Sequence, residues 1–434
     1  MTDLLHQPVP RRTLSISTVG GGRGWRHQLA RNRYQLLGAT LIGVGLPALV
    51  RSGLDFSLQG PGSLQNAVAA TFLAMLTGAY LMRRMTAYPG VSTVAAVVPA
   101  FGAAYAVAIV LFFFARLDYS RFQFLTSFGL VVLWFGFVGL VEPRRRPRLL
   151  LLPFGKATDL VGSGEADWLV ARSPSVLPEG LTAVVADLRA DLSPEWSQLL
   201  AGAALAGLPV YHCKQISEAM SGTVDIEHIS ENNLGSLLPS SVYLRLKRQL
   251  DVAVAIVTLP ATLAIGLLAV LAIWICDGRP IFFTQQRVGF RGRPFTLLKF
   301  RTMVPGGGEG CAYTQADDPR VTRLGRVLRR WRIDELPQVI NILAGEMSWI
   351  GPRPESRELA EWYESEVPFY SYRHIIRPGI TGWAQVNQGN VAEITAATGK
   401  LRYDFYYIKH FSPWLDLLVA ARTLRTLLTG FGAR

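Results

Sequence analysis

Two adjacent carboxylates, Asp334 and Glu335, stand in the stretch RIDELPQVIN (332–341), directly after the arginine-rich RVLRRWR (326–332). Arginine side chains hold phosphate groups in a forked grip, and a helix N-terminus attracts anions. A carboxylate in such surroundings is ionised at neutral pH and can attack phosphorus to form an acyl phosphate. The acidic pair, Asp334 and Glu335, can also hold Mg²⁺ and leave positions open for substrate oxygens. These residue types therefore indicate phosphoryl transfer, with cations screening carboxylate from phosphate.

A purely structural role fits the same acidic pair. The stretch ELPQVINILAG (335–345) predicts a helix that ends at Gly345, and Asp334 stands where an N-cap residue belongs. The helix dipole would favour Glu335, and Arg329 or Arg330 would supply salt bridges. On these residues alone the capping role is favoured, so the choice depends on the rest of the chain.

The composition indicates a membrane protein. Half of the 434 residues are hydrophobic and 17% are charged, and the mean hydropathy is +0.25. The net charge of +13 suits anionic lipid headgroups or polyphosphate substrates. Nucleic acid is not an expected partner, because no nucleic-acid-binding signature accompanies the charge. The three cysteines, which have neither CxxC nor zinc spacing, are expected to be reduced and structural: Cys213, Cys276 and Cys311.

Four apolar runs near the N-terminus are each close to the length that crosses a bilayer: 34–50, 64–82, 91–115 and 122–141. Arginines gather before the first run, between the second and third, and after the fourth, and they are fewer in the other two connections. The positive-inside rule therefore places both ends of this bundle in the cytoplasm. We expect a basic cytoplasmic tail over 1–33 and four transmembrane helices within 34–145.

Residues 148–235 have the pattern of a small α/β domain. RLLLLPFG and LTAVVADLR predict buried strands, and SPEWSQLLAGAALAG predicts a helix with Ser193 as N-cap and Pro194 in its first turn. PVYHCK predicts a further strand that carries His212 and Cys213 as packing residues. Strand, helix and strand form a parallel unit. Because no GxGxxG follows the first strand, dinucleotide binding is not predicted; we expect a structural or oligomerising domain that would support a homodimer.

A fifth apolar run, 252–275, is long enough to span the bilayer. However, Pro260 near its middle removes a backbone hydrogen bond and bends a helix. Both flanks are basic, so a spanning helix would place one of them outside, against the positive-inside bias. A helix that enters, bends at Pro260 and returns to the cytoplasmic face avoids this conflict. The charges favour this re-entrant helix, and hydropathy alone favours a fifth span.

The remainder, 277–434, is basic and rich in tryptophan and tyrosine. Its last apolar stretch, SPWLDLLVAARTLRTLL (412–428), predicts a helix capped by Ser412. The apolar face and arginines of this helix suit the membrane interface. An amphipathic helix packed on the domain's own core fits the pattern equally well.

Three stretches together resemble the bacterial sugar transferase family: QQRVGFRGRPFTLLKFRTM (285–303), RIDELPQVINILAGEMSWIGPRPE (332–355) and IRPGITGWAQVN (376–387). These monotopic phosphoglycosyl transferases start polysaccharide and glycoconjugate assembly on a polyprenyl phosphate. The resemblance extends over 242–434. The preceding segments resemble those of the family's larger members, which implies a four-helix transmembrane bundle, a degenerate Rossmann-like α/β domain and an α-rich catalytic domain anchored by a re-entrant helix.

The resemblance implies a specific reaction. A UDP-sugar would bind with Mg²⁺, Asp334 would take the sugar 1-phosphate as nucleophile, and UMP would leave. Polyprenyl (undecaprenyl) phosphate would then accept the sugar 1-phosphate at the bilayer surface. Glu335 matches the second member of the catalytic dyad, with a metal-binding or acid–base role. The reaction implies a multi-pass protein of the bacterial inner membrane with its catalytic domain on the cytoplasmic face, and downstream glycosyltransferases as partners.

The resemblance also assigns residues around the acidic pair. Lys299, Arg329 and Arg353 match positions expected to contact phosphates, and Pro260 matches the proline that bends the re-entrant helix. On charge alone we add two further phosphate contacts, Arg301 and Arg377. Asp334 and Glu335 are the expected metal ligands.

The chain departs from the family pattern in two places near these motifs. It reads NQGN (387–390) where many members read NGRN, so an arginine that would contact the nucleotide-sugar is missing. Arg332 stands where many members have Ser or Thr.

The rival interpretation is a non-catalytic membrane scaffold of a polysaccharide assembly complex, motivated by the large part of the chain outside the match. The sequence does not name the sugar.

Overall fold

The computed structural model describes residues 32–54, 61–88, 91–141, 147–162, 166–174, 177–224, 239–304, 318–388 and 394–429. It contains two compact units. The first comprises Met1–Leu76, Ser92–Val94 and Tyr105–Ser221, and the second comprises Thr77–Val91, Ala95–Ala104 and Gly222–Arg434. The predicted basic tail, except for residues 32 and 33, lies outside the described residues.

The apolar runs near the N-terminus are helical, as predicted. The first consists of α1 (Asn32–Gly38), a π-helical stretch (Ala39–Gly45) and α2 (Leu46–Leu54), and it is followed by α3 (Pro61–Thr86), α4 (Thr93–Ala115) and α5 (Arg121–Val141). With a later helix, α8 (Ser241–Cys276), the described chain contains five helices long and apolar enough to cross a membrane. The protein is therefore a membrane protein by the length and composition of its helices.

Hydrogen bonds between polar side chains link the apolar helices of the first unit. Gln123 Nε2 donates to the carbonyl of Val44 at 3.1 Å, and the hydroxyls of Tyr105 and Ser127 lie 2.8 Å apart. An unpaired polar group in a hydrocarbon environment costs free energy, so such bonds hold neighbouring apolar helices in register.

A four-stranded parallel sheet forms the α/β part of the first unit. Its strands are β1 (Arg148–Leu151), β2 (Asp167–Val170), β3 (Ala183–Ala186) and β4 (Val210–His212), in the order β2-β1-β3-β4. Alternate residues of β1 point to opposite faces: Leu149 and Leu151 join one core cluster, and Leu150 joins another. The helices α6 (Pro194–Leu205) and α7 (Cys213–Ser221) contribute to these two clusters. A sheet that is covered on both faces is typical of α/β folds.

Two details of this domain differ from the sequence analysis. Strand β2 was not predicted, because DWLV is short and partly exposed and carries no run of buried residues. Cys213 begins helix α7 rather than lying on a strand, so the prediction that places it on β4 is wrong; the strand ends at His212. The helix α6 begins after Ser193 with Pro194 in its first turn, as predicted.

The second unit contains the segments that carry the candidate site. Helix α8 leads into the antiparallel hairpin of β5 (Phe282–Val288) and β6 (Pro294–Phe300). Then follow α9 (Arg323–Arg330), a 3₁₀ turn (Ile333–Glu335), α10 (Gln338–Ala344), β7 (Ser348–Ile350), α11 (Arg357–Glu366), a second 3₁₀ turn (Tyr370–Ile375), β8 (Gly379–Thr381), α12 (Trp383–Gln388), α13 (Ile394–Lys409) and α14 (Pro413–Thr429). One core cluster joins α8, β6 and α10 through Ala255, Leu297 and Ile342.

Both apolar helices predicted in this unit are present, but α8 is longer than the predicted run 252–275, because it begins at Ser241 and ends at Cys276. Helix α8 is one helix with Pro260 inside it; its re-entrant membrane topology stays a prediction. Ser412 Oγ accepts a hydrogen bond from the Leu415 amide at 3.4 Å, which confirms the predicted cap of α14. Leu415 and Val419 of this helix are fully buried, so α14 packs on the domain's own core.

Candidate active site

The acidic pair lies in a tight turn between two helices. Arg332 has left-handed backbone (φ +55°), which few non-glycine residues adopt, and the 3₁₀ turn Ile333–Glu335 follows it. Helix α10 begins only at Gln338, after Pro337, which has no backbone N–H to donate. The prediction that Asp334 caps a helix over 335–345 is therefore wrong, whereas the predicted end at Gly345 (φ +88°) is confirmed.

Three cations converge on one oxygen of Glu335. Its Oε1 lies 3.1 Å from Lys299 Nζ, 3.2 Å from Arg353 Nη2 and 3.6 Å from Arg332 Nη1. These cations come from β6, from the loop after β7 and from the turn itself. Burial alone would raise the pKa of Glu335, but Lys299, Arg353 and Arg332 hold that pKa well below its ordinary value. Glu335 is therefore ionised, and its charge fixes the positions of the surrounding cations.

Asp334 has a different environment. It is buried, and its Oδ1 has no hydrogen-bond partner among the residues that the structure describes. Burial, and then the charge of Glu335, raise the pKa of Asp334, while Lys299, Arg329 and Arg332 act in the opposite direction. A buried carboxylate oxygen without a partner is costly unless a ligand completes it. Asp334 therefore offers an available oxygen, which Glu335 Oε1 does not.

The structure brings three of the predicted phosphate contacts to the acidic pair. Lys299 and Arg353 contact Glu335 directly. Arg329 lies close enough to Asp334 to lower its pKa, and the Arg329 Nε donates to Thr302 Oγ1 at 2.8 Å. Because Thr302 follows β6 and Arg329 ends α9, this bond joins the two elements beside the site.

Arg301 and Arg377 have no salt bridge to the acidic pair in the described part of the chain. Arg301 Nη2 donates to the carbonyls of Asp277 and Gly278 after the end of α8, at 2.5 and 3.0 Å, while its Nε and Nη1 are buried without a hydrogen-bond partner in that part. Arg377 Nε donates to the carbonyl of Gly345 at 2.9 Å. Both residues stay predictions as phosphate contacts. Their observed hydrogen bonds are to carbonyls at helix ends, and the Arg377 guanidinium also lies 4.8 Å from the centroid of the Phe290 ring.

The sequence analysis did not assign a site role to Arg332 or to Thr302. The spacing of Arg332 and Glu335, three residues apart, was a usable signal, because residues so spaced lie on one side of a helical turn. Thr302 carried no such signal, since its bond to Arg329 joins residues 27 positions apart in the sequence.

The carboxylates fit a divalent cation. Mg²⁺ prefers oxygen ligands and is bound by one or two carboxylates together with substrate phosphates. The unpartnered Asp334 Oδ1, with the second carboxylate adjacent to it, is such a donor set. Asp334 supplies the more available ligand, because three cations hold Glu335 Oε1.

A second group of metal-ligating side chains lies in the α/β domain. The ligand atoms of Asp187, His212 and Cys213 lie within 4.8 Å of one another. His212 Nδ1, however, accepts a hydrogen bond from the Lys214 amide at 3.1 Å, and Asp187 accepts from the amides of Lys156 and Arg189. These bonds indicate a structural role in the loops that follow the strands.

Comparison with known proteins identifies the family of the chain. Residues 242–430 match the family model described as bacterial sugar transferase. A UDP-N-acetylgalactosamine-undecaprenyl-phosphate N-acetylgalactosaminephosphotransferase of Aeromonas hydrophila is 43% identical over 401 residues, which cover 92% of this chain and 95% of that protein. A UDP-glucose:undecaprenyl-phosphate glucose-1-phosphate transferase of Caulobacter vibrioides is 41% identical over 186 residues, 42% of this chain and 70% of that protein. The chain belongs to the bacterial sugar transferase family.

Proposed function

We propose that the protein transfers a sugar 1-phosphate from a UDP-sugar to undecaprenyl phosphate, producing undecaprenyl-diphosphate-sugar and UMP. This is the first membrane step of exopolysaccharide or glycoconjugate synthesis. The observation that carries the proposal is the buried acidic pair, in which one carboxylate has an available oxygen and the other is held by three cations. The family model covers this pair, and the relatives named above carry this activity in their names.

In the first step, a carboxylate oxygen of Asp334 attacks the sugar-linked phosphorus of the UDP-sugar. The bond from that phosphorus to the oxygen that bridges the two phosphates breaks, and UMP leaves with that oxygen and its electron pair. The sugar phosphate remains on Asp334 as an acyl phosphate. Asp334 is the better nucleophile of the two carboxylates because its Oδ1 has no hydrogen-bond partner in the described residues.

The cations of the site stabilise the charge that develops in this step. Lys299 and Arg353, fixed by Glu335, are placed to bind phosphate oxygens, and Arg329 supports them from the side of Asp334. Mg²⁺, for which Asp334 and Glu335 are the proposed ligands, would screen the carboxylate from the diphosphate. Glu335 stays ionised throughout, so the cations keep their positions.

In the second step, a phosphate oxygen of undecaprenyl phosphate attacks the same phosphorus. The acyl phosphate bond breaks, its electron pair returns to Asp334, and the carboxylate is regenerated. The acceptor reaches the site from the bilayer, which agrees with a catalytic domain anchored by α8. We propose that α8 is the re-entrant helix bent at Pro260 and that the catalytic domain faces the cytoplasm of the bacterial inner membrane.

N-acetylgalactosamine is the first sugar to test. The relative that matches over nearly the whole chain names this sugar, whereas the glucose-specific relative of Caulobacter vibrioides matches over less than half of the chain. We propose that the α/β domain is a degenerate Rossmann-like module with a structural or dimer-forming role.

A non-catalytic scaffold is the less favoured function, because a scaffold has no use for an available Asp334 oxygen among these cations.

UMP release by the purified, detergent-solubilised protein tests the proposal. With Mg²⁺, undecaprenyl phosphate and UDP-N-acetylgalactosamine or UDP-glucose, we expect UMP with one of the two donors. Asp334→Asn should lower the rate by roughly a thousandfold or more, because the nucleophile is lost. Glu361→Gln, a change in an exposed ion pair of α11, is the matched control and should leave the rate unchanged. Equal rates for wild type and Asp334→Asn would refute the assigned role.

A further inference from the structure

The loop that carries Arg353 has few hydrogen-bond donors of its own. It reads Gly351-Pro352-Arg353-Pro354 and joins β7 to α11, and its two prolines have no backbone N–H. Buried backbone carbonyls are nearly always paired, so those of this loop need donors from elsewhere in the fold. The same loop carries Arg353, whose Nη2 lies 3.2 Å from Glu335 Oε1.

Four consecutive carbonyls of this segment have such donors. The amide of Gly379 donates to the carbonyl of Pro352 at 2.9 Å. Arg373 Nη2 donates to the carbonyl of Arg353 at 2.9 Å. Arg287 Nη1 donates to the carbonyl of Pro354 at 3.0 Å. The amide of Val288 donates to the carbonyl of Glu355 at 3.2 Å. Two of the four donors, those to the carbonyls of Arg353 and Pro354, are therefore guanidinium groups rather than backbone amides.

Arg373 is itself held rigidly. It is 3% exposed, its Nε and Nη2 contact Asp404 Oδ2 at 3.1 and 2.8 Å, and its Nη1 donates to Tyr370 Oη at 2.7 Å. Asp404 is 1% exposed. A planar guanidinium that makes these contacts together cannot be replaced by an ammonium group, which is a single point charge. Arg287 has fewer contacts: its Nη2 donates to Gln285 Oε1 at 2.6 Å, and its Nε has no hydrogen-bond partner among the described residues.

We propose that Arg373 and Arg287 are positioning residues for catalysis, which hold the loop carbonyls and thereby place the Arg353 guanidinium on Glu335. Neither is assigned contact with the substrate; both act through Arg353. The inference rests on the proposed function for its kinetic consequence, since a cation displaced by about 1 Å costs roughly a hundredfold in rate. The structural part of the inference, fixation of the loop, does not depend on that function.

A double-mutant cycle in the full-length solubilised protein tests the proposal. Arg373→Lys keeps the positive charge beside Asp404 but loses the planar guanidinium with its several N–H donors. We expect kcat for UMP release to fall roughly 10- to 100-fold. In an Arg353→Lys background the same change should lower kcat less than about twofold, because the Arg353 guanidinium that Arg373 positions is already lost. Arg287→Lys should show the same dependence on Arg353. Arg357→Lys, an exposed residue of the adjacent helix, is the matched control and should leave kcat unchanged.

Hydrogen–deuterium exchange provides a second readout that needs no activity. Arg373→Lys and Arg287→Lys should each accelerate exchange in the peptide that spans 348–356, and Arg357→Lys should not. Equal fold-losses of kcat in both backgrounds, or unchanged exchange, would overturn the proposal. If Arg373→Lys fails to fold, the partly exposed Arg287 carries the same test. If the wild type releases no UMP but the two variants still accelerate exchange, the proposed function is refuted and the loop fixation stands.

Discussion

Removal of the Lys299 ammonium tests the electrostatic account of the acidic pair most sharply. Lys299 Nζ is the closest of the three cations to Glu335 Oε1, at 3.1 Å, and its side chain is only 16% exposed. Lys299→Met keeps most of the side-chain volume and removes the charge. Breaking a buried ion pair by removing one partner typically costs about 3–5 kcal/mol. Because Arg353 and Arg332 still contact Glu335, we expect the lower end, about 3 kcal/mol.

Thermal unfolding of the solubilised protein measures this loss. For a unit of this size, about 3 kcal/mol corresponds to a fall in the midpoint of roughly 6–12 °C. Arg332→Met is the matched comparison: it removes a cation from the same oxygen, but at 3.6 Å and from a side chain that is 33% exposed. We expect it to cost at most about 1 kcal/mol, because solvent screens the pair. Equal shifts for the two variants, or no shift for Lys299→Met, would refute the idea that burial makes the Lys299 contact dominant.

Three further predictions concern the same unit. The rate of UMP release should fall as the pH drops through the raised pKa of Asp334, because the nucleophile must be ionised. Arg329→Met removes a charge that lowers this pKa, so it should move the acidic limb of a pH–rate profile to higher pH. An acidic limb at the same pH in wild type and variant would contradict the assignment. Gly345→Ala should lower the temperature midpoint of unfolding, since the residue has φ +88° and an added Cβ would lie 3.3 Å from Arg248 Nη2. Gly102→Ala is the control and should not lower it, because an added Cβ there would have nothing within 4 Å. Chelation with EDTA should stop UMP release and Mg²⁺ should restore it, and full activity in EDTA would exclude a metal requirement.

Much of the site was accessible from the sequence because its chemistry is local. Asp334 and Glu335 are adjacent, and the cations that match the family pattern were assigned from motifs before their contacts were known. Lys299 and Arg353 indeed meet at Glu335 Oε1. The helix end at Gly345 was also predictable, because glycine accepts the left-handed backbone that ends a helix.

The remaining features depend on contacts that no local pattern encodes. The prediction that Asp334 caps a helix was wrong, because Pro337 and the left-handed Arg332 divide the segment into a 3₁₀ turn and a separate short helix. Strand β2 was not predicted because it is only four residues long and its apolar residues do not alternate with polar ones. Its pairing with β1 stabilises it. The guanidinium donors to the Arg353 loop lie 20 and 67 residues from the carbonyls that they bind, so only the fold brings them together.

Mass spectrometry of the protein and of its proteolytic peptides tests the central claim most directly. The solubilised protein would be mixed with Mg²⁺ and UDP-N-acetylgalactosamine or UDP-glucose, without undecaprenyl phosphate. The account predicts a mass gain of one sugar phosphate in the peptide that contains Asp334, its loss on addition of undecaprenyl phosphate, and its absence in Asp334→Asn. UMP release that requires undecaprenyl phosphate and leaves no adduct on Asp334 would contradict the covalent route and indicate direct transfer between the two substrates.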